Sequence, residues 1–126
     1  VNFGPRETVP EKFRGRRFYQ HNPNVTLMRT TPEENDQLGK EIAQKASAAK
    51  GPTAVLVPLR GISAIDAEGQ PFHDPEADAA LFAAIEAGVE QTDRRQVRRV
   101  PANINDDHFV DVVLGAFDEV MNEGAD

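Results

Sequence analysis

Three short apolar segments, each followed by a helical pattern, constrain the fold of this chain more than any other feature. The segments cover residues 24–29, 54–59 and 96–100, and the helical patterns cover residues 32–49, 75–91 and 106–122. Strands that alternate with helices in this way predict parallel strands joined by right-handed crossovers. Between the second strand and its helix, residues 63–72 are expected to form a small hairpin. We therefore expect an α/β fold: a three-layer Rossmann-like half-domain with a small parallel sheet and helices packed on it.

Helix-capping residues indicate where each helix begins. Thr31 stands directly before Pro32, and Glu34 follows at the position that completes a capping box. Asp74 also precedes a proline, the residue type that the first helical position favours. Asn105 is the expected cap of the third helix.

Helical spacing of the apolar residues predicts which face of each helix is buried. The third helix has the clearest pattern, and we expect its aromatic and methionine side chains to belong to the core. The predicted buried residues are Leu38, Ile42, Ala46 and Ala49, then Leu81, Phe82, Ile85 and Val89, and finally Phe109, Val112, Val113, Ala116, Phe117, Val120 and Met121.

The first seventeen residues lack such a pattern and contain two glycines and two prolines, which are typical of connectors. We expect residues 1–17 to form an extended connector or arm, and residues 18–126 to form the Rossmann-like α/β domain. A few apolar side chains in or beside the arm either attach it to the domain or are covered by the missing half of the protein or by a second subunit. They are Phe3, Val9, Phe13 and Phe18.

The composition narrows the classes of partner. The 21 acidic residues outnumber the 14 basic ones and give a formal net charge of −7. A surface of this charge repels nucleic acid and anionic membranes, so neither is an expected partner.

The absence of cysteine excludes disulfides and thiolate chemistry. No apolar run is long enough to span a bilayer, and we expect a cytoplasmic protein. Lysine is scarce beside arginine, which suggests a salt-adapted source.

Polar residues follow all three predicted strands, at the edge of the sheet where open α/β folds bind their ligands. Two of these segments lead directly into helix amino termini, where free N–H groups and the helix dipole attract anions. Arg29 adds a guanidinium suited to phosphate or carboxylate, and Gly61 allows a ligand to approach the main chain. The candidate ligand-binding residues are Arg29, Thr30, Thr31, Gly61, Ser63, Asn103 and Asn105.

The same residues also have a purely structural interpretation, which the sequence leaves open. Thr31 and Asn105 are helix caps in either case. Arg29 is also placed to form a surface ion pair with Glu33 or Glu34, a contact worth roughly 0–1 kcal/mol.

Motifs for catalysis or metal binding are absent from the sequence. His21, His73 and His108 do not show the i, i+4 spacing of a helical metal site, so no metal is expected. The chain contains no G-x-G-x-x-G, P-loop or nucleophile-elbow pattern. No catalytic residue is assigned, and the sequence leaves open whether the protein is an enzyme.

Four segments resemble one known family: VNFGPRETVPEKFRGR, HNPNVTLMRTTPEEN, GPTAVLVPLRGISAIDAEGQPFHDPEAD and NINDDHF. It is the family of the tomato mosaic virus resistance protein, whose prokaryotic members are conserved proteins with an ATP-binding domain of that type. The resemblance covers nearly the whole chain and implies that it is the carboxyl-terminal half of a protein with two Rossmann-like halves. It also implies ATP as a ligand of the full-length protein.

Two functional hypotheses fit these residues. In the first, the chain is a domain of a nucleotide-binding protein and holds an anionic or phosphate-bearing ligand at the strand carboxyl ends. In the second, it is a non-catalytic docking or dimerisation module that completes a larger two-domain protein. Its partner is then the amino-terminal half of the same protein or a second subunit. A large exposed apolar face would favour the second hypothesis.

Overall fold

A computed structural model describes residues 1–125, which divide into two units at the junction of Thr31 and Pro32. The amino-terminal unit contains the strands β1 (Asn2–Phe3), β2 (Phe18–Asn22) and β3 (Val25–Met28), with 3-10 helices at Arg6–Thr8 and Glu11–Phe13. The second unit contains α1 (Pro32–Ala48), β4 (Thr53–Pro58), α2 (Pro75–Gly88), β5 (Arg95–Val100) and α3 (Asp107–Ala125).

The amino-terminal unit is an antiparallel sheet with the strand order β1-β3-β2. β2 and β3 form a hairpin with a tight turn, in which the Asn24 N–H donates to Asn22 Oδ1 at 2.8 Å. This pairing corrects the prediction that the strand at residues 24–29 is parallel to the other two. A short turn returns the chain antiparallel, whereas a parallel neighbour requires a longer crossover.

Residues 1–17 are held against β3 rather than extended away from it. Val1 and Met28 exchange two main-chain hydrogen bonds, both at 2.8 Å. The rings of Phe3 and Phe13 lie 5.6 Å apart, so the apolar side chains expected in this segment help to pin it. The boundary between the units follows β3 and does not coincide with the division expected after residue 17.

β4 and β5 form a parallel sheet that is in register over six residue pairs. Because side chains alternate along a strand, this sheet presents two faces to the helices. Val57 packs on one face in a buried cluster with Phe82 and Ile85 of α2. Leu56 packs on the other face, against the cluster that contains Phe109 of α3. The α/β class and the arrangement of helices on both faces of a small parallel sheet are thus confirmed.

All three predicted helices are present, with ends within a few residues of those expected. The Asp74 cap of α2 is confirmed, because its carboxylate accepts a hydrogen bond from the Ala77 N–H at 3.0 Å. The predicted cap of α3 is wrong by one residue. Asp106 rather than Asn105 holds the cap position, since its carbonyl accepts the first helical hydrogen bond, from the Val110 N–H at 3.2 Å.

The buried face of α1 is displaced by one residue from the face that apolar spacing predicted. Gly39 is buried, whereas Leu38 and Ile42 are 44% and 42% exposed. α1 and α2 approach so closely that a Cβ on Gly39 would lie 2.6 Å from the Cβ of Ala84. Ala46 packs against the core as predicted. The contact between these helices therefore selects small side chains, and larger aliphatic ones are left beside it.

The apolar face of α3 is only partly covered, which corrects the expectation that its whole stripe belongs to the core. Phe109 and Ala116 are buried, but Phe117 and Met121 are each 57% exposed, and Val113 is also exposed. The two-stranded sheet is narrower than the apolar face of this helix, so the side chains beyond the sheet lie at the surface.

In the described part of the chain, no helix has the length and apolarity that crossing a membrane requires.

The close contact between α1 and α2 can be tested by replacing a helical glycine with alanine, because steric overlap lowers stability whereas the higher helix propensity of alanine raises it. We expect Gly39→Ala to lower the free energy of unfolding by about 1–3 kcal/mol, because the new methyl group overlaps α2. Gly115→Ala is the matched control, since a Cβ there meets no atom of the described residues within 4 Å. This second change should raise stability by about 0.4–1 kcal/mol through the preference of helices for alanine. Urea denaturation of both variants measures the two effects, and equal stabilisation by both would contradict the close contact.

Candidate functional site

Two adjoining cavities open where β4 and β5 end, and both are lined by Leu59, Arg60 and His73. The larger has a volume of about 640 Å³ and extends past Asn103. The smaller, of about 390 Å³, runs along α2 to Arg99. We name the two together the strand-end cleft. Its location, beyond the carboxyl ends of parallel strands, is the one at which open α/β sheets bind their ligands.

The floor of the cleft is built on the side chain of Asn103, which is 7% exposed. Its Nδ2 atom donates to the carbonyls of Ser63 at 3.0 Å and Asp66 at 3.1 Å. Its Oδ1 atom accepts a hydrogen bond from the Asn105 N–H at 3.0 Å. A single side chain therefore joins the loop after β4 to the loop after β5.

Asp66 organises the loop between β4 and α2 from within, and the residue is 1% exposed. One carboxylate oxygen accepts the Ile62 N–H at 2.9 Å, and the other accepts the Asp74 N–H at 3.3 Å. Such charge-assisted bonds are stronger than bonds between neutral groups. The hairpin expected for residues 63–72 is not formed as a pair of strands. The loop instead has an isolated bridge between Ser63 and Asp66, around this buried carboxylate.

Gly61 has a different role from the one that the sequence suggested. Its φ of +131° lies in the region that favours glycine, and the residue is buried. A Cβ at this position would lie 1.7 Å from the Asp66 carbonyl oxygen and 2.7 Å from Asn103 Nδ2. The space that we expected a ligand to use is thus occupied by the protein itself. Gly61 allows the two loops to close against each other.

The predicted ligand-binding residues fall into two groups. Ser63 and Asn103 are joined by the hydrogen bond above, and Asn105 joins them through its main chain. Gly61 lies beside them, because its carbonyl accepts the Ile104 N–H at 3.0 Å. Arg29 and the two residues that follow it, Thr30 and Thr31, end the amino-terminal unit. Arg29 is only 6% exposed. Its main chain continues the pairing of β2 with β3, since its N–H donates to the Arg17 carbonyl at 2.9 Å. The role of these three residues in ligand binding stays a prediction.

Arg60 and His73 line the cleft, although neither was among the predicted site residues. The Arg60 N–H donates to the Ala102 carbonyl at 3.1 Å, which fixes the residue just past the end of β4. Its side chain is exposed, and among the described residues none forms an ion pair with it. His73 is also exposed and stands directly before the cap of α2. Arg60 follows the strand in the sequence, and that position was the only signal for it.

A bidentate ion pair closes one wall of the smaller cavity. Arg99 Nε and Nη2 donate to the two carboxylate oxygens of Glu86 at 2.7 Å and 2.9 Å. This side-chain hydrogen bonding lowers the pKa of Glu86 below its ordinary value of 4.5, and the charge of Arg99 acts in the same direction. The same bonds raise the pKa of Arg99. The positive charge of Arg99 is therefore already neutralised, unlike that of Arg60.

Comparison with known proteins identifies relatives along almost the whole chain. A family model described as "Uncharacterised protein family (UPF0261) C-terminal domain" matches residues 1–121. The UPF0261 protein of Rhizobium meliloti is 51% identical over 122 residues, which are 97% of this chain and 31% of that protein. The UPF0261 protein of Clostridium tetani is 52% identical over 109 residues, 86% of this chain and 27% of that protein.

The ToMV resistance protein Tm-1(GCR237) of Solanum lycopersicum is 40% identical over 120 residues, 95% of this chain and 16% of that protein. This match confirms the resemblance seen in the sequence. The chain spans less than a third of the length of each of these curated relatives.

The ion pair between Glu86 and Arg99 predicts a pH-dependent contribution to stability. Because the pKa of Glu86 is lowered in the folded state, the contribution is present above pH 4.5, its ordinary value, and is lost as the pH falls below it. Glu86→Gln should therefore lower the melting temperature slightly at pH 7 and have no effect at pH well below that value. A double-mutant cycle with Arg99→Gln isolates the pair, and added salt should weaken it. A loss of stability that is the same at both pH values would contradict this account.

The contact around Gly61 predicts a large loss of stability on substitution. Gly61→Ala imposes backbone strain of about 1–3 kcal/mol and also forces the new methyl group into the Asp66 carbonyl. Gly69→Ala is the control, because Gly69 has a φ of +82° but a Cβ there meets no atom within 4 Å. Chemical denaturation should show that the Gly61 variant loses clearly more stability than the Gly69 variant. Equal losses would mean that the loops are not packed against each other at Gly61.

Proposed function

We propose that this chain, which belongs to the UPF0261 family and matches its carboxyl-terminal domain, binds a small anionic ligand in the strand-end cleft. The observation that carries the proposal is the contrast between the two arginines that line the strand-end cleft. Arg99 is paired with Glu86. Arg60 forms no ion pair with the described residues and lies just past the end of β4, where it lines both cavities.

The chemistry of a guanidinium favours a phosphate or a carboxylate as the anionic group. Its planar fork donates two parallel hydrogen bonds to such groups, which adds geometric selectivity to the charge attraction. The rigid floor supports this role, because the buried amide of Asn103 and the carboxylate of Asp66 fix the loop that carries Arg60. Binding groups that are held in place before the ligand arrives lose less conformational entropy on binding.

The acidic residues of the cleft restrict the rest of the ligand. Glu68 and Asp106 also line the larger cavity. The Asp106 carboxylate accepts the Asn103 N–H at 2.9 Å, so part of its hydrogen-bonding capacity is used. A ligand that is anionic throughout would be repelled by these groups. The favoured ligand therefore has one anionic end for Arg60 and hydroxyl or amine donors at the other end.

A nucleotide has this distribution of groups, with phosphate at one end and ribose hydroxyls and a base at the other. The larger cavity, at about 640 Å³, is within the range of roughly 300–1,000 Å³ that small-molecule sites occupy. ATP is the first nucleotide to test, because the sequence resemblance implies ATP binding by the full-length protein. The proposal concerns binding only and assigns no catalytic residue.

The cytoplasmic location and the salt-adapted source also stay predictions from composition.

The proposal predicts that Arg60→Ala weakens the binding of inorganic phosphate, AMP and ATP to the natural protein by roughly ten- to hundredfold. The melting temperature should change little, because the guanidinium is exposed. Arg94→Ala is the matched control, since it removes the same charge from the opposite end of β5. Isothermal titration calorimetry with each of the three compounds measures the affinities.

Two results would contradict the proposal. Equal weakening by Arg60→Ala and Arg94→Ala would show a general charge attraction without a site. Weakening by Arg29→Ala but not by Arg60→Ala, at an unchanged melting temperature, would instead place the ligand at the start of α1, where the sequence first suggested it.

A further inference from the structure

One side of α3 presents a continuous row of apolar side chains to the surface. Val110, Leu114, Phe117 and Met121 follow one another at spacings of four, three and four residues and are 47–57% exposed. This spacing is the one by which two helices pack along a common line. We name this row the α3 seam.

The seam lies on the outer side of β4, away from β5. A groove of about 350 Å³ separates α3 from β4 and is lined by Ala54 and Leu56 of the strand and by Val113 and Phe117 of the helix. No residue of β5 lines this groove. The opposite side of α3 is turned toward β5, because Glu119 forms its ion pair with Arg98 there.

The outer edge of β4 is suited to pair with another strand. Among the described strands β4 pairs with β5 alone. The N–H groups of Thr53 and Leu59 donate to carbonyls on the β5 side of the sheet, so the alternating Ala54 and Leu56 amides point away from β5. Residues 54–57 contain no charge, and the one proline of the strand, Pro58, stands at its end, so the edge that is open to pairing is the segment with Ala54 and Leu56. An unbroken apolar strand is typical of the interior of a parallel sheet.

The charges of α3 argue against a second copy of the chain as the occupant. Asp107, Asp111 and Asp118 lie beside the seam at helical spacing, and residues 107–125 include neither lysine nor arginine. Two copies joined along the seam would bring these acidic groups together, in a chain whose net charge is already −7. A helix with basic residues beside its apolar stripe would be complementary.

We propose that the outer edge of β4 and the α3 seam receive one further strand-and-helix unit from the rest of the natural polypeptide. Its strand pairs with the edge at Ala54 and Leu56, and its helix has an apolar stripe flanked by lysine or arginine and packs on the seam. The curated relatives are long enough to supply such a unit, since this chain spans 31% of one and 27% of another. A helix that connects such a strand to a parallel neighbour forms a right-handed crossover. The evidence for this proposal is the edge and the seam, and it does not require that the cleft binds a ligand.

Thiol labelling of the natural protein tests the seam. The 126 residues contain no cysteine, so Phe117→Cys and Asn122→Cys each add one thiol, the first on the seam and the second at an exposed position outside it, and peptide mapping separates both from any thiol elsewhere in the natural protein. In the native protein, the thiol at position 117 should react at least about tenfold more slowly than the thiol at 122. In denaturant both should react at the same rate. Equal native rates would overturn the proposal.

Hydrogen exchange of the unmodified protein tests the edge without any substitution. The Leu56 amide should exchange as slowly as the Val57 amide, which points toward β5 and is the internal control. Fast exchange at Leu56 beside slow exchange at Val57 would show an open edge and overturn the proposal. Protection that disappears on dilution, together with a change in sedimentation from dimer to monomer, would assign the surface to a second copy and overturn it as well.

Discussion

The buried hydrogen bonds between Asn103 and the loop around Asp66 are the interactions on which the rest of the cleft depends. Parallel strands end at the same edge of a sheet, but each is followed by its own loop. Asn103 Nδ2 donates to the Arg60, Ser63 and Asp66 carbonyls of the β4 loop, and the Asp66 carboxylate holds the start of α2 through the Asp74 N–H. Polar groups that are buried and hydrogen-bonded in this way rigidify their surroundings. These hydrogen bonds therefore fix the backbone of the loop to which the exposed Arg60 belongs.

Local signals in the sequence predicted the elements that depend on local physics. The Asp74 cap and the proline after it fix the start of α2, whatever the rest of the chain does. Which strand pairs with β3 depends instead on the length of the turn before it. The sequence did not predict β2 as that partner, because β2 consists largely of polar residues and lacks a strand-like apolar pattern. The bond from Asn103 to the Asp66 carbonyl joins residues 37 positions apart, and no periodic pattern indicates such a contact.

The buried faces of the helices show why hydrophobicity alone misplaces a contact. Apolar spacing selects the largest side chains of α1, but the close approach of α2 selects the smallest, so Gly39 is buried and Leu38 is not. The same physics applies at α3 with the opposite outcome. There the stripe itself was identified, yet a sheet of two strands covers only the part that includes Phe109 and Ala116. A pattern reports that a face will be covered, but not by which chain segment.

The narrow sheet connects the cleft with the α3 seam. A strand that pairs in parallel with the outer edge of β4 ends at the same edge of the sheet as β4 and β5. The loop that follows it then lies beside Arg60 and adds a wall to the strand-end cleft. Additional N–H groups at that wall would strengthen the hold on an anionic group, since parallel sheets bind ligands with loops from several neighbouring strands. The unit that covers the apolar seam would thus also complete the ligand site, which links the docking and binding hypotheses in one arrangement.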